Sequence, residues 1–250
     1  MEERRRVPLT IPTADPHVCT PGVRHHVLGK VPFFAGLDHD QLHQVGDLCR
    51  VRGLTAGESV YLEGDPATQL YVVATGAMKT TRVSPEGRET LLDLLFPGDF
   101  LGSYPTQGAQ EHADSAWAVT PTCLLSLDAG DFSTILHRFP SVALATLEGV
   151  SKRLSQSQDA VHRLSAAPVE KRLAATLLLV AEKIGEPWHG DGVLLQVPLS
   201  REDLASMTGA VTETASRILS QWRRDGLIDT GRRWVAIKDV AALERVRDGN

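Results

Sequence analysis

PLSREDLASMTGAVTETASRILSQWRRDGLIDTGRRWVAI, residues Pro198 to Ile237, decides how this chain is read. Ser200 is a good N-cap with Asp203 three residues on, so a short helix starts there and runs through Leu204, Ala205 and Met207 to a stop at Gly209. A tight turn over Ala210 to Thr212 follows. A second helix then carries Ala215, Ile218, Leu219 and Trp222 at helical spacing, which turns Thr212, Glu213, Ser216 and Arg217 outward. Beyond Gly226 the alternating stretch LIDTGRRWVAI predicts a hairpin with Gly231 in its turn and Arg232 and Arg233 at its tip. Helix, turn, helix and hairpin together make a winged helix-turn-helix.

The outward edge of that second helix offers paired chemistries suited to bases. Arg217 can donate two bonds to guanine O6 and N7, Glu213 can accept from cytosine N4, and Ser216 can reach either a base edge or thymine. Ser200 and Thr212 are expected at the DNA as well, and Arg223, Arg224, Arg232 and Arg233 near phosphates, fixing register without reading sequence. The plainer alternative is that Glu213 and Arg217, four apart, form a surface ion pair. The preceding helix and the basic wing favour double-stranded DNA as partner.

Working back towards the N-terminus, Pro168 marks a hinge, and KRLAATLLLVAEKIG predicts the first helix of the DNA-binding part. Ser141 opens a long helix to about Ala166. In it Leu147, Leu154 and Val161 repeat every seven residues, with Val150 and Leu164 on the adjoining row and Ser157 interrupting. That stripe suits either a two-stranded coiled coil or packing against the chain's own barrel; a homodimer is favoured because a two-fold protein matches a palindromic site. From Leu54 to Leu127 the pattern is of short strands separated by turn signals, the mark of a jelly-roll barrel. Val23 to Val51 reads as short helices, with Asp38 as a cap and Leu42, Val45 and Leu48 on one face. The expected organisation is a tail over 1–22, a sensor barrel over 23–130, a dimerisation-helix region over 131–167 and the DNA-binding domain over 168–250. The fold class is α+β.

Composition sets outer bounds. With 250 residues and 42% hydrophobic content, two modest globular domains fit. The formal charge of −5 is carried by the first two-thirds of the chain, while 168–250 is balanced, so the acidic total does not exclude DNA. No run of 18 apolar residues exists to span a membrane, and the N-terminus lacks the apolar core of a signal peptide, so a cytoplasmic protein is expected. Three cysteines do not make a disulfide framework.

Ser200 to Ile237 resembles the DNA-binding domain of the CRP/FNR family of bacterial regulators. ETASR at Glu213 to Arg217 is similar to the E-x-x-S-R of its FNR branch, whereas the CRP branch has an arginine where this chain has Thr212. The glycines at Gly57, Gly64, Gly76, Gly98 and Gly102, with RVSPEGRE and PGDFLG, resemble the cyclic-nucleotide-binding fold. The resemblance implies a homodimeric transcription regulator whose Glu213, Ser216 and Arg217 read a TTGAT-type half-site, with RNA polymerase as a further partner. It also implies that Asp159, where FNR relatives carry an acidic residue, tunes dimerisation.

For the sensor, the resemblance also marks departures. Members that bind cyclic AMP use a glutamate just after PGDFxG and an arginine before Ser-Ala; here Ser103 and Asp114 stand there, so cyclic AMP is not expected to bind. FNR proteins hold an iron–sulfur cluster with N-terminal cysteines and one from the barrel. Cys123 falls near the barrel ligand and Cys19 precedes VPFF, with His17, His25 or His26 as further ligand candidates. Cys49 and Cys123 also read as buried small hydrophobes, and Cys19 as the reactive thiol. A histidine-assisted cluster or haem, a dithiol switch between Cys19 and Cys123, and an apolar effector or none all stay open, with a slight lean to a redox or gas signal.

Two rival classes compete with a regulator. A cupin-like barrel enzyme needs inward histidines and a carboxylate, and His112 is the only histidine between Leu54 and Leu127. The other is a DNA-organising protein without sequence preference.

Overall fold

Strands and helices fall where period-two and period-3.6 patterns alternate along the chain. The computed structural model describes residues 21–85, 87, 89–102, 111–231 and 234–249, with backbone alone at 21–23, 153, 156 and 159–166. The chain divides into two compact units, one of Thr13–Ala160 and one whose described part is 161–249. Cys19, His17, Ser103, Arg232 and Arg233 lie outside the described residues, as does the side chain of Asp159.

The first unit begins with α1 (Pro21–Leu28), a 3-10 turn at Pro32–Phe34 and α2 (His39–Leu48). Asp38 caps α2 through a reciprocal box: its carboxylate accepts from the Gln41 backbone N–H while the Gln41 side chain accepts from the Asp38 N–H. Among the described residues eight strands follow: β1 (Arg50–Leu54), β2 (Ser59–Tyr61), β3 (Gln69–Thr75), β4 (Met78–Val83), β5 (Glu89–Leu95), β6 (Phe100–Gly102), β7 (Ser115–Ala118) and β8 (Thr122–Asp128). They form two four-stranded sheets, β1-β8-β3-β6 and β2-β7-β4-β5, with every pairing antiparallel. This is the expected barrel of jelly-roll kind.

Two apolar clusters hold it together. One joins Leu28, Phe33, Phe34 and Val45 to Phe100, Leu125, Phe132 and Ile135, with the Phe33 ring 4.9 Å from Phe100 and 5.7 Å from Phe132, both edge to face. The other, inside the sheets, includes Tyr61, Val73, Met78, Leu95, Ala116 and Leu124. Leu48, expected on the inner face of α2, is instead half-exposed because α2 ends there and the chain turns into β1.

Asp128 accepts from Gly130 N–H and opens a ten-residue helix, α3 (Ala129–Arg138). Phe132 and Ile135 on its buried face hold it to the cluster around Phe33. After it comes α4 (Pro140–Ala166), 27 residues long. Its first turns press Val142, Ala145 and Thr146 inward, and Leu144, Leu147 and Leu154 are each at least 60% exposed. The described part of the heptad face, Leu147 and Leu154, is therefore not the face used against the chain's own barrel; the side chains of Val161 and Leu164 lie outside the described residues.

The second unit holds α5 (Val169–Ile184), β9 (Glu186–Pro187), β10 (Val193–Leu195), α6 (Arg201–Met207), α7 (Thr212–Arg224), β11 (Ile228–Gly231), β12 (Trp234–Ile237) and α8 (Val240–Asp248). Its four strands pair in the order β11-β12-β10-β9. Leu173 and Leu177 of α5, Leu204 of α6, Leu219 and Trp222 of α7, Ile237 and Leu243 are buried together as its core residues. Trp222 is the largest of them, and its Nε1–H donates to Glu170 Oε1 at 3.0 Å. Trp222→Ala is expected to lower stability by about 3–5 kcal/mol through the cavity it leaves, measured as the midpoint shift in denaturant unfolding followed by circular dichroism.

Candidate nucleic-acid interface

The interface is assembled from α6, the turn after it, and α7. Ser200 caps α6: its hydroxyl accepts from Asp203 N–H at 2.9 Å and donates to the Asp203 carboxylate at 2.6 Å. The hydroxyl of Ser200, a predicted DNA contact, is thus engaged within the protein. Thr208 closes α6 by donating to the Leu204 carbonyl at 2.8 Å, and Gly209 takes a left-handed φ of +58°, a conformation that favours glycine. The turn runs from Thr208 to Val211, starting two residues and ending one residue earlier than the sequence indicated, because α6 stops at Met207, Val211 is extended and Thr212 is already helical.

α7 buries Ala215, Leu219 and Trp222 and leaves Thr212, Glu213 and Arg217 exposed, with Ser216 half-exposed between them. Among the described residues Glu213 and Arg217 form no ion pair, so the surface-pair alternative is not what these two side chains do. Arg201, which sequence reasoning missed, donates to the Ser216 carbonyl at 3.3 Å and to Ser220 Oγ at 3.1 Å. It ties α6 to α7 and fixes the angle at which the exposed rim is presented. Arg223 pairs with Asp229 at 3.4 Å, both half-exposed, and Arg224 bonds Gln221. The wing strands are in register, Thr230 opposite Val235 and Gly231 opposite Trp234, which makes Gly231 the end of β11 rather than the turn itself.

In the barrel, three groups lie around β2 and the start of β7. The Tyr61 ring stacks on His112, 3.6 Å between centroids and 7° between planes, and Tyr61 hydrogen-bonds Asp114 and the Gly102 N–H. Burial first, then the charge of Asp114 and the bond to it, push the Tyr61 phenol far above its usual range, so it stays a donor. Burial pushes the His112 imidazole down against the pull of Asp65, and its Nδ1 is buried without a hydrogen-bond partner among the described residues. Gly102 has φ +97°, and a Cβ there would come within 2.7 Å of the Gln69 carbonyl and 3.7 Å of the His112 ring. Tyr61 and His112 pair across the fold, a long-range contact that no local pattern announces.

The cysteines behave as core residues. Cys49 and Cys123 are both buried in the cluster around Phe33 and Phe34. Burial outweighs the nearby Arg24 and pushes the Cys49 thiol up to about 12, which leaves it protonated and unreactive at neutral pH. Cys123 lies opposite Gly53, whereas Cys49 precedes Arg50, the partner of Ser126; that four-residue offset is about 13 Å along a strand, beyond disulfide reach. His26 is exposed, and His25 packs against His43 and His39 with centroids 3.6 and 5.3 Å away. Among the described residues no group of three His, Cys, Asp or Glu is set to hold a metal ion, so they do not by themselves make the ligand set of an iron–sulfur cluster. No helix among them is long and apolar enough to cross a membrane.

Two family models match the chain, a Crp-like helix-turn-helix domain over residues 171–246 and a cyclic nucleotide-binding domain over 51–139. Together they define the class: a DNA-binding helix-turn-helix joined to a barrel of the cyclic-nucleotide-binding type. The transcriptional regulator LdrP from Thermus thermophilus is 30% identical over 190 residues, 75% of this chain and 92% of the relative. A cyclic AMP receptor protein from the same species is 29% identical over 218 residues, covering 87% and 97%. Among solved structures, FixK2 from Bradyrhizobium japonicum matches with a TM-score of 0.70 at 23% identity, over 79% of this chain and 96% of that one. A CRP-family regulator from Thermus thermophilus matches with 0.66 at 27% identity, over the same shares. The chain belongs to the CRP/FNR family of transcription regulators.

Proposed function

We propose that this regulator works as a homodimer, with two copies of α7 reading the halves of a palindromic site of the FNR type, and that it acts with RNA polymerase. The observation that carries the reading is the exposed rim of Glu213, Ser216 and Arg217, whose charged ends make no ion pair with each other among the described residues and so are available to base edges. The unpartnered leucine face of α4 supports the dimer, and a two-fold pairing of chains sets two recognition helices one helical turn of DNA apart. The cytoplasm is the compartment in which such a protein meets DNA. Selecting DNA from a random pool with the full chain tests this: palindromic sites should be enriched, and an unordered pool after several rounds contradicts it. That second outcome would favour the DNA-organising alternative.

For the signal, the reading is a regulator that does not take cyclic AMP. A phosphate would meet Asp114, already bonded to Tyr61, and the neutral His112 stacked on the same ring. Both the like charge and the occupied donors oppose an anion there. A redox or gas signal entering through Cys19 is the alternative put forward, since Cys49 is unreactive; whichever event acts must favour one conformation over the other. Titration calorimetry of the full chain with cyclic AMP is expected to give no heat of binding, and micromolar binding would contradict this. An enzymatic role is disfavoured because His112, the barrel histidine, is buried against Tyr61 rather than grouped with metal ligands.

A further inference from the structure

We propose that Val211 is a specificity-determining residue of the DNA interface, an apolar reader of a thymine C5-methyl group at the leading edge of α7; the inference rests on the reading of α7 as a recognition helix. Two observations meet at this residue. The side chain is 61% exposed, directly ahead of Thr212 and Glu213 on the chain. It also occupies the N-cap position of α7 and makes no capping hydrogen bond.

Each observation alone is ordinary; single exposed valines are common. Their coincidence is what needs a cause. The N-cap is the position where Ser, Thr, Asp or Asn stabilises a helix and valine is among the poorest choices. This sequence follows that rule at Asp38, Asp128, Ser200 and Asp239, each of which caps its helix through its side chain, while Pro168 ahead of α5 and the buried Val31 ahead of the 3-10 turn supply no side-chain cap. At α7 the polar cap is absent and a β-branched apolar group stands in water instead. Both choices work against the isolated fold, and local rules broken together at one place are expected where function has set the residue.

The chemistry that compensates must be apolar and present only when the partner is bound. Thymine is the base that offers such a group in the major groove, and Thr212, one residue on, is exposed as well. Glu213, Ser216 and Arg217 then read donors and acceptors, while Val211 distinguishes thymine from cytosine by its methyl. Sequestering one methyl from water corresponds to about a fourfold change in affinity.

The test uses the full chain and the half-site obtained by selection, with each thymine replaced in turn by deoxyuridine, which lacks only the C5-methyl. One replacement is expected to weaken the native chain about fourfold and to leave Val211→Ala unchanged, so that protein and DNA changes are not additive. Val211→Ser serves as the second variant: it should restore a cap and raise the thermal midpoint, yet show the same indifference to the methyl. If the native chain and Val211→Ala respond alike to every replacement, the assignment of Val211 is overturned while α7 keeps its role. If selection yields no site, the recognition-helix reading itself fails and takes this inference with it.

Discussion

Arg217→Ala is expected to abolish discrimination between the selected palindrome and random DNA while leaving salt-dependent binding to any DNA largely in place. A bidentate arginine on guanine is worth about 1–3 kcal/mol of discrimination. A two-fold protein makes that contact twice, so the pair of alanines removes about 2–6 kcal/mol, or roughly 30-fold to more than ten-thousandfold in affinity for the site. Arg217 is exposed and Trp222, Leu219 and Ala215 hold α7 from the other side, so the fold should not change. Competition binding at two salt concentrations reads the effect: the specific component should vanish, and the slope against salt should stay close to native because phosphate contacts remain. An undiminished preference for the site would remove Arg217 from the reading surface.

The double change Leu147→Asp with Leu154→Asp is expected to give a monomer. Leu144, Leu147, Val150 and Leu154 stand 65%, 63%, 39% and 60% exposed on α4. Covering four such side chains on each of two helices yields about 8–16 kcal/mol at roughly 1–2 kcal/mol apiece, against an association cost of about 4–15 kcal/mol. The balance is enough for a dimer but not by a wide margin, and two facing carboxylates per helix reverse it. Sedimentation of native and variant chains at micromolar concentration should give two different masses. The inward residues Val142 and Thr146 are untouched, so each chain should keep its native circular dichroism spectrum, while its unfolding midpoint falls below the native one because pairing itself stabilises the folded chain. Equal masses would mean that α4 does not pair the chains.

The two features behind these predictions were unequally visible in the sequence. The helix-turn-helix was plain because its signals are local: a capping box at Ser200 and Asp203, a helical apolar period ending in Trp222, and a glycine at the turn. The barrel was plain for the same reason, strand by strand. The heptad stripe through Leu147 and Leu154 was legible on α4, but that Val142 turns into the core while the equally apolar Leu144 stays in solvent was not, since only packing separates them. The state of the cysteines was open too. Cys49 sits at the end of an apolar helical face, but that its thiol is held protonated depends on Phe33, Phe34 and their neighbours closing over it, which involves residues far apart in the chain. The Tyr61, His112 and Asp114 group is similar: Asp114 stood out as a departure from an expected arginine, while its partner on β2 came only from sheet pairing. Val211 was legible in principle, as a valine where a cap belongs, once the start of α7 was known to the residue.

Stoichiometry and affinity on one defined duplex test the central claim most directly. The full chain is titrated onto the selected palindrome, onto the same DNA with one half scrambled, and onto fully scrambled DNA, with mass measured for each complex. Two chains per palindrome, with affinity lost stepwise as each half is scrambled, is the predicted result. One chain per duplex, or equal affinity for all three, would contradict it.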